Sequence, residues 1–242
     1  MERWRLITTF GADPSFNMGL DEALLDSRGS PTTLRFYTWK PDTLSLGYFQ
    51  RYAEVPGVEK AGAVVRRITG GGAIHHVKEL TFSIAASLDH PLYRGPVGES
   101  YTRIHGALID ALAAAGVASG LRGGTGLASD VEGTGMCFHA STPLDVAWNG
   151  RKGIGSAQRR KGGRVLHHGS IKLGTSPLEG AIATLEGEGA KLRVEELAQL
   201  VRAAFERTFE VEFEAAVPDA AERADARTLG TRYLDPAFVR RR

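Results

Sequence analysis

The hydrophobic positions of the first fifty residues fall into a strand, a helix and two further strands. Residues 4–10 form an extendable run. Pro14-Ser15 opens a helical pattern through Met18, Leu20, Leu24 and Leu25, with Asp21 and Glu22 placed near the positive end of the helix dipole. Residues 34–39 and 44–49 read as strands, and Lys40-Pro41-Asp42 as the turn between them. Residues 64–69 and 80–85 predict two strands around a glycine-rich connection, and residues 99–115 a helix. Tyr101, Ile104, Leu108 and Leu112 lie on one stripe of that helix, with Gly116 just past its end.

Further along, Asn149-Gly150 separates two extendable runs. This pair is a strong hairpin signal because a two-residue turn of this kind needs positive φ at both positions. Lys152 then starts the returning strand. Gly162-Gly163 makes another turn, and residues 165–173 another strand. Residues 194–209 and 218–229 predict helices, with Glu195, Glu196 and Asp219 near their starts. Strands clustered in hairpins with helices grouped around them predict an α+β fold, a mixed and mainly antiparallel sheet flanked by helices, rather than a doubly wound one.

The chain has 242 residues, 42 % hydrophobic and 24 % charged, which excludes disorder and low complexity. No linker or fixed-period repeat divides it, so one domain over residues 1–242 is expected. Thirty Lys and Arg against 28 Asp and Glu leave a net charge of +2, too balanced for a protein whose main work is gripping nucleic acid. The single cysteine, Cys137, excludes an intramolecular disulfide and a Cys-rich zinc module. No signal-peptide pattern or membrane-length apolar run occurs, so a cytoplasmic protein without membrane contact is expected. Walker, G-x-G-x-x-G, H-E-x-x-H and G-x-S-x-G motifs are absent from the sequence, which removes the enzyme classes built on them.

Two segments then carry the candidate chemistry. In Arg66-Arg67-Ile68-Thr69-Gly70-Gly71-Gly72-Ala73-Ile74-His75-His76, consecutive glycines let backbone N–H groups approach an anion, and two arginines supply fixed charge. A flexible loop with solvated arginines has the same composition, and both readings stand. The second segment pairs Cys137, in the Gly/Ser/Thr-rich stretch 133–142, with Lys152 in Lys152-Gly153-Ile154-Gly155-Ser156-Ala157-Gln158. A lone cysteine is usually a small buried hydrophobe. A cation at the mouth of a tight hairpin, however, would stabilise a thiolate or a developing oxyanion. His75, His76, His139, His167 and His168 do not have a familiar metal-ligand spacing. Neighbouring histidines on a strand point to opposite faces, so no metal is assigned and these side chains stay as contact or orienting candidates.

With these blocks in view, the chain resembles the biotin/lipoate protein ligase superfamily, and within it the cysteine-dependent protein octanoyltransferases of lipoate assembly. The resemblance runs through Asn17-Met18-Gly19-Leu20-Asp21-Glu22, Leu34-Arg35-Phe36-Tyr37-x-Trp39, Leu44-Ser45-Leu46-Gly47-Tyr48-Phe49-Gln50 and Arg66-Arg67-x-Thr69-Gly70-Gly71-Gly72-Ala73. It continues through Lys78-Glu79-Leu80-Thr81-Phe82-Ser83, Cys137-Phe138, Gly150-Arg151-Lys152-x-x-Gly155-Ser156-Ala157-Gln158 and His168-Gly169-Ser170-Ile171. It implies the biotin/lipoate ligase catalytic-domain fold. It also implies that Cys137 carries the acyl group and that Lys152 contacts the acyl carbonyl. The remaining contacts would come from Arg66, Arg67, Thr69, Gly70, Gly71, Gly72, Ala73, His76, Gly155, Ser156, Ala157, His168 and Gly169. Family members usually carry Asp after the histidine matching His76, and this chain has Val77.

The implied reaction moves an octanoyl group from acyl carrier protein through a Cys137 thioester to the target lysine of a lipoyl domain or glycine-cleavage H protein, without a cofactor. Three alternatives remain. One is an ATP- and Mg-dependent lipoate ligase forming an adenylate, and one is an amidotransferase between lipoyl-bearing proteins; the third is a non-catalytic acyl- or carrier-binding module. Met136-Cys137-Phe138 stands where such ligases show Arg-Asn-Asp, and the chain offers no stretch for their accessory domain; both points favour transfer. The basic run 159–164 is a candidate docking patch for an acidic partner or else a solvated loop, and Arg240-Arg241-Arg242 reads as a frayed terminus.

Overall fold

Asp13 caps the first helix by accepting from the Ser15 and Phe16 N–H groups, with Pro14 at the first helical position. This computed structural model describes residues 1–241. In chain order its elements are β1 (Glu2–Ala12), α1 (Pro14–Asp26), β2 (Thr33–Trp39), β3 (Thr43–Leu46), β4 (Ala63–Arg66), β5 (Ile74–His76), β6 (Glu79–Ser87) and α2 (Val97–Ala114). There follow β7 (Gly120–Leu121), β8 (Val146–Trp148), β9 (Arg151–Lys161), β10 (Arg164–Lys172), α3 (Val194–Phe209), β11 (Val211–Ala216), α4 (Ala220–Leu234) and α5 (Pro236–Val239).

The strands form an eight-stranded sheet in the order β11-β1-β2-β6-β10-β9-β8-β7 and a three-stranded sheet in the order β4-β3-β5. In the large sheet β11-β1 and β1-β2 are parallel and the other pairings antiparallel, so the α+β, mainly antiparallel expectation is met. Alternation along the strands splits their side chains between two cores. Leu34, Phe36, Leu80, Phe82, Ile84 and Val165 pack against Ile104, Leu108 and Leu112 of α2 and Val201 and Phe205 of α3. Tyr37, Trp39, Ala85 and Leu166 face the other way, onto Met18, Leu20, Leu24 and Leu25 of α1 and Ala226 and Tyr233 of α4. Each fully buried side chain of this size contributes roughly 1.5–3 kcal/mol.

Several expectations are corrected by packing. Asp21 and Glu22 sit mid-helix, beyond reach of the dipole, and are buried because they have long-range partners: Arg35 for Asp21 (2.9 Å), Arg232 and Tyr233 for Glu22. The strands around the glycines belong to different sheets, β4 to the small one and β6 to the large one, with the unforeseen β5 between them. Strand β3 ends at Leu46 and β4 at Arg66, since the residues that follow turn into loops around the candidate site. Edge strand β11 also escaped the reading: its Val-Glu-Phe-Glu run follows α3 directly and pairs only with β1. No helix among the described residues is long and apolar enough to cross a membrane.

Candidate active site

The β8–β9 hairpin turns at Asn149 (φ 49°) and Gly150 (φ 66°), the left-handed pair a two-residue turn requires. The turn sets the start of β9 and so buries Lys152, which is 3 % exposed. Its ammonium donates to the carbonyls of Cys137 (2.9 Å) and Ala140 (3.0 Å) and pairs with Asp145 at 2.9 Å. Cys137 Sγ lies 3.6 Å from Lys152 Nζ. Burial disfavours the charge on Lys152, but Cys137 and Asp145 together outweigh it and hold the pKa above the ordinary lysine value.

Cys137 opens a short 3₁₀ turn, Cys137–His139, within a long segment of otherwise irregular chain, and its side chain is half-buried. Backbone bonds fix the turn to the glycine segment: Ala73 N–H donates to Gly135 O, and Cys137 N–H donates to Ala73 O, both at 2.8 Å. The contact is too close for a side chain at Gly72, where a Cβ would lie 2.7 Å from Cys137 N. Gly47 meets the same segment as closely, since its Cβ would stand 1.9 Å from Gly71 O. The glycines are therefore packing contacts rather than a flexible loop. The other end of the cysteine turn is held by His139, whose Nε2 lies 2.6 Å from Glu179 O. Gly155 completes the approach: a Cβ there would lie 3.0 Å from Cys137 Sγ and 2.9 Å from Lys152 Cε.

Two cavities meet at Cys137. The inner one is a narrow slot of about 40 Å³. Met18, Tyr37, Trp39 and Ile74 form its apolar wall. Arg67, Gly70, Gly71, His76, Gly155, Ser156, Ala157, His168 and Gly169 all line it. The outer groove shares Gly70, Gly71, Ser156 and Ala157, adds Gly72 and Lys152, and runs out past the half-exposed Val97 and Gly98 of α2.

The polar side chains of the inner cavity are tied down from behind. Arg67 donates to Ser45 O (2.8 Å), Gly70 O (2.8 Å) and Gly72 O (2.7 Å), and burial lowers its pKa to about 10. His76 stacks on Trp39 at 4.2 Å and lies between Ser45 Oγ (2.8 Å) and Glu79 (3.1 Å). Burial lowers its pKa to about 4 despite Glu79, so the ring is neutral near pH 7. Glu79 thereby gives His76 the carboxylate neighbour that Val77 cannot supply. His168 bridges Asp21 (3.1 Å) and Thr69 (2.6 Å). Burial would raise the pKa of Asp21, but His168, Arg35 and Ser83 outweigh it and lower the value.

Three sequence candidates do not line either cavity. The Arg66 guanidinium is turned onto the carbonyls of Gly47 (2.8 Å), Gln50 (2.7 Å) and Val239 (2.7 Å), clamping the chain's last turn to the loop after β3. Thr69 acts behind His168, and Ala73 through its backbone. The basic run 159–164 is not one surface: Arg164 is buried on Ser30 O and Leu24 O, Lys161 pairs with Asp26, and Arg159 lies over Tyr48. Nor are Arg240 and Arg241 frayed, since they stack on Tyr52 and Tyr48; Arg242 lies outside the described residues. Asp145, Trp39 and Asp21 were missed as site residues. Asp21 and Trp39 stand in the motif blocks quoted above, and Asp145 directly precedes the strand that leads into the Asn149-Gly150 turn. Among the described residues no three His, Cys, Asp or Glu side chains are arranged to hold a metal ion.

The large sheet thus brings a cysteine and a lysine face to face beside a glycine segment. The chain belongs to the lipoyl protein ligase A/B catalytic domain family, whose description matches residues 13–212. It is 45 % identical over 183 residues to the octanoyltransferase LipM of Moorella thermoacetica, an alignment covering 71 % of this chain but only 66 % of that protein's length. The octanoyltransferase LipM of Kyrpidia tusciae is 38 % identical over 208 residues, covering 80 % of this chain and 74 % of that protein. The same fold occurs in a bipartite lipoate protein ligase from Thermoplasma acidophilum, with a TM-score of 0.76, 21 % identity and coverage of 99 % and 96 %. It also occurs in a lipoate-protein ligase A bound with ATP (TM-score 0.75, 23 % identity, coverage 96 % and 95 %).

Proposed function

We propose that this protein transfers an octanoyl group from a carrier-bound thioester to Cys137, and from Cys137 to the target lysine of a lipoyl domain or glycine-cleavage H protein. The observation that carries the reading is the 3.6 Å contact between Cys137 Sγ and Lys152 Nζ where the two cavities meet. Cys137 sulfur attacks the donor carbonyl, the new C–S bond forms, and the donor thiolate leaves and takes up a proton. The lysine amine then attacks the enzyme thioester, and the electron pair of the broken C–S bond returns to Cys137. Lys152 is placed to balance charge on the sulfur and on the tetrahedral oxygen in both halves. The inner cavity offers the acyl chain an apolar wall, and the groove offers both proteins a way in. Acyl carrier protein is the proposed donor. A thioester is already activated, so the chemistry needs neither nucleotide nor metal. The octanoyltransferase relatives support this reading, as does the structural neighbour described together with its E2 lipoyl domain.

The test is intact-mass measurement after incubation with octanoyl-acyl carrier protein and no nucleotide. A single octanoyl adduct is expected on the native chain and none on Cys137→Ala. Acylation that requires ATP and leaves the thiol unmodified would overturn the reading in favour of an adenylate-forming ligase.

A further inference from the structure

On the α2 side of the large sheet, a chain of buried polar groups ends at the cavities and takes no part in the Cys137–Lys152 contact. Ser156 Oγ lies 2.7 Å from His105 Nε2 and 2.8 Å from His167 Nε2. The partners on either side fix which atoms carry protons. Arg160 Nε donates to Gln158 Oε1 (3.3 Å), so the Gln158 amide nitrogen is the atom at 2.8 Å from His167 Nδ1, which must accept. At the other end His105 Nδ1 meets the Leu144 carbonyl at 2.5 Å and must donate. Burial pushes the His105 pKa below the ordinary imidazole value and that of His167 well below it, so each ring carries one proton.

The direction of the chain follows. His167 Nε2–H donates to Ser156 Oγ, the Ser156 hydroxyl donates to His105 Nε2, and His105 Nδ1–H donates to Leu144 O. One lone pair of the Ser156 hydroxyl remains unused, and Ser156 lines both the inner cavity and the outer groove beside Cys137. A hydroxyl bonded to a neutral imidazole, itself oriented by a third group, is the arrangement that moves protons in nucleophilic catalysis. The titratable and charged groups around His105 are Tyr101 on its own helix, His167 on β10, Lys152 on β9 and Asp145 ahead of β8. Lys152 is a paired ammonium, Asp145 is its partner, and His167 already uses Nδ1 as an acceptor, so His105 Nε2 is the open base.

We propose that Ser156 and His105 form the proton relay for the second half of the reaction, an inference that rests on the transferase reading above. When an unprotonated lysine amine attacks the Cys137 thioester, the C–N bond forms and the adduct nitrogen holds one proton too many. That proton passes to Ser156 Oγ as the Ser156 hydroxyl proton passes to His105 Nε2. The C–S bond then breaks with its electron pair on Cys137, beside Lys152. The His105 imidazolium returns its proton by the same path to water in the groove.

The two halves of the reaction separate relay from scaffold. Ser156→Ala and His105→Gln are each loaded with octanoyl-acyl carrier protein, and the acyl-enzyme is then given either a lipoyl domain or hydroxylamine, whose adduct loses its proton readily to water. Expected is lysine transfer slowed about 10²- to 10⁴-fold near pH 7 relative to loading and to hydroxylamine transfer of the same variant, with partial recovery at higher pH. Ser156→Thr, which keeps the hydroxyl, restores lysine transfer. Unchanged lysine transfer in Ser156→Ala overturns the relay, as does an equal loss with both nucleophiles. If His105→Gln misfolds, Ser156→Ala and Ser156→Thr carry the same comparison. Failure of the native chain to load at all would overturn the transferase reading and the relay with it.

Discussion

Lys152 keeps its charge in a buried place because two acceptor carbonyls, one carboxylate and one sulfur surround it. Desolvating an ammonium costs several kcal/mol unless its partners are pre-arranged, and here the backbone of the cysteine turn supplies two of them. The same atoms that hold Lys152 thus hold Cys137 against it. Lys152→Ala is expected to slow acylation of Cys137 by octanoyl-acyl carrier protein about 10²- to 10³-fold, the usual loss for one preorganised donor at an oxyanion. Rapid mixing followed by mass measurement gives the rate; a change of less than twofold would remove Lys152 from the mechanism.

At the scale of elements, the site depends on close backbone contacts that glycine alone allows. Helices α1 and α4 cross so tightly that a Cβ on Gly19 would lie 2.0 Å from Ala226 O. Neither partner is the end of a flexible side chain, so one helix must move. Gly19→Ala is expected to cost about 1–3 kcal/mol of stability, the range for overpacking a filled interior. The loss reads out as a lower urea midpoint at unchanged slope. The cysteine position should be insensitive, since the Cys137 turn is held by Ala73 and, through His139, by Glu179.

For the molecule as a whole, Asp21 is the group that ties the layers together. From α1 its carboxylate reaches Arg35 and Tyr37 on β2, Ser83 on β6 and His168 on β10, at 2.8–3.1 Å. Its pKa is depressed in the folded state. Its contribution is therefore present above the unfolded aspartate value near ~3.9 and is lost as the pH falls through the folded value. Asp21→Asn is expected to be several kcal/mol less stable than the native chain at pH 7, because Arg35 stays buried without a counter-charge. Denaturant titrations at descending pH should show the gap narrowing in acid; a gap independent of pH would assign the stabilisation to shape alone.

Local signals carried much of this. Extendable runs between turn signals gave β2, β6 and β10, the 3.6-residue stripe of Ile104, Leu108 and Leu112 gave α2, and Asn149-Gly150 opened β9 and placed Lys152 near its head, because turn chemistry and side-chain periodicity act over a few residues. The sequence also put Cys137 and Lys152 in view as a pair. It did not reveal that Arg66 turns away while Arg67 turns in, since two adjacent arginines look alike until the carbonyls of Gly47 and Val239 are in place. Nor did it show Asp21, Trp39, His105 and Asp145 as neighbours of the site. Each meets a partner from another element, and no local pattern records which elements will touch. Tertiary packing decided those meetings, and with them which groups are buried, paired and poised to move a proton.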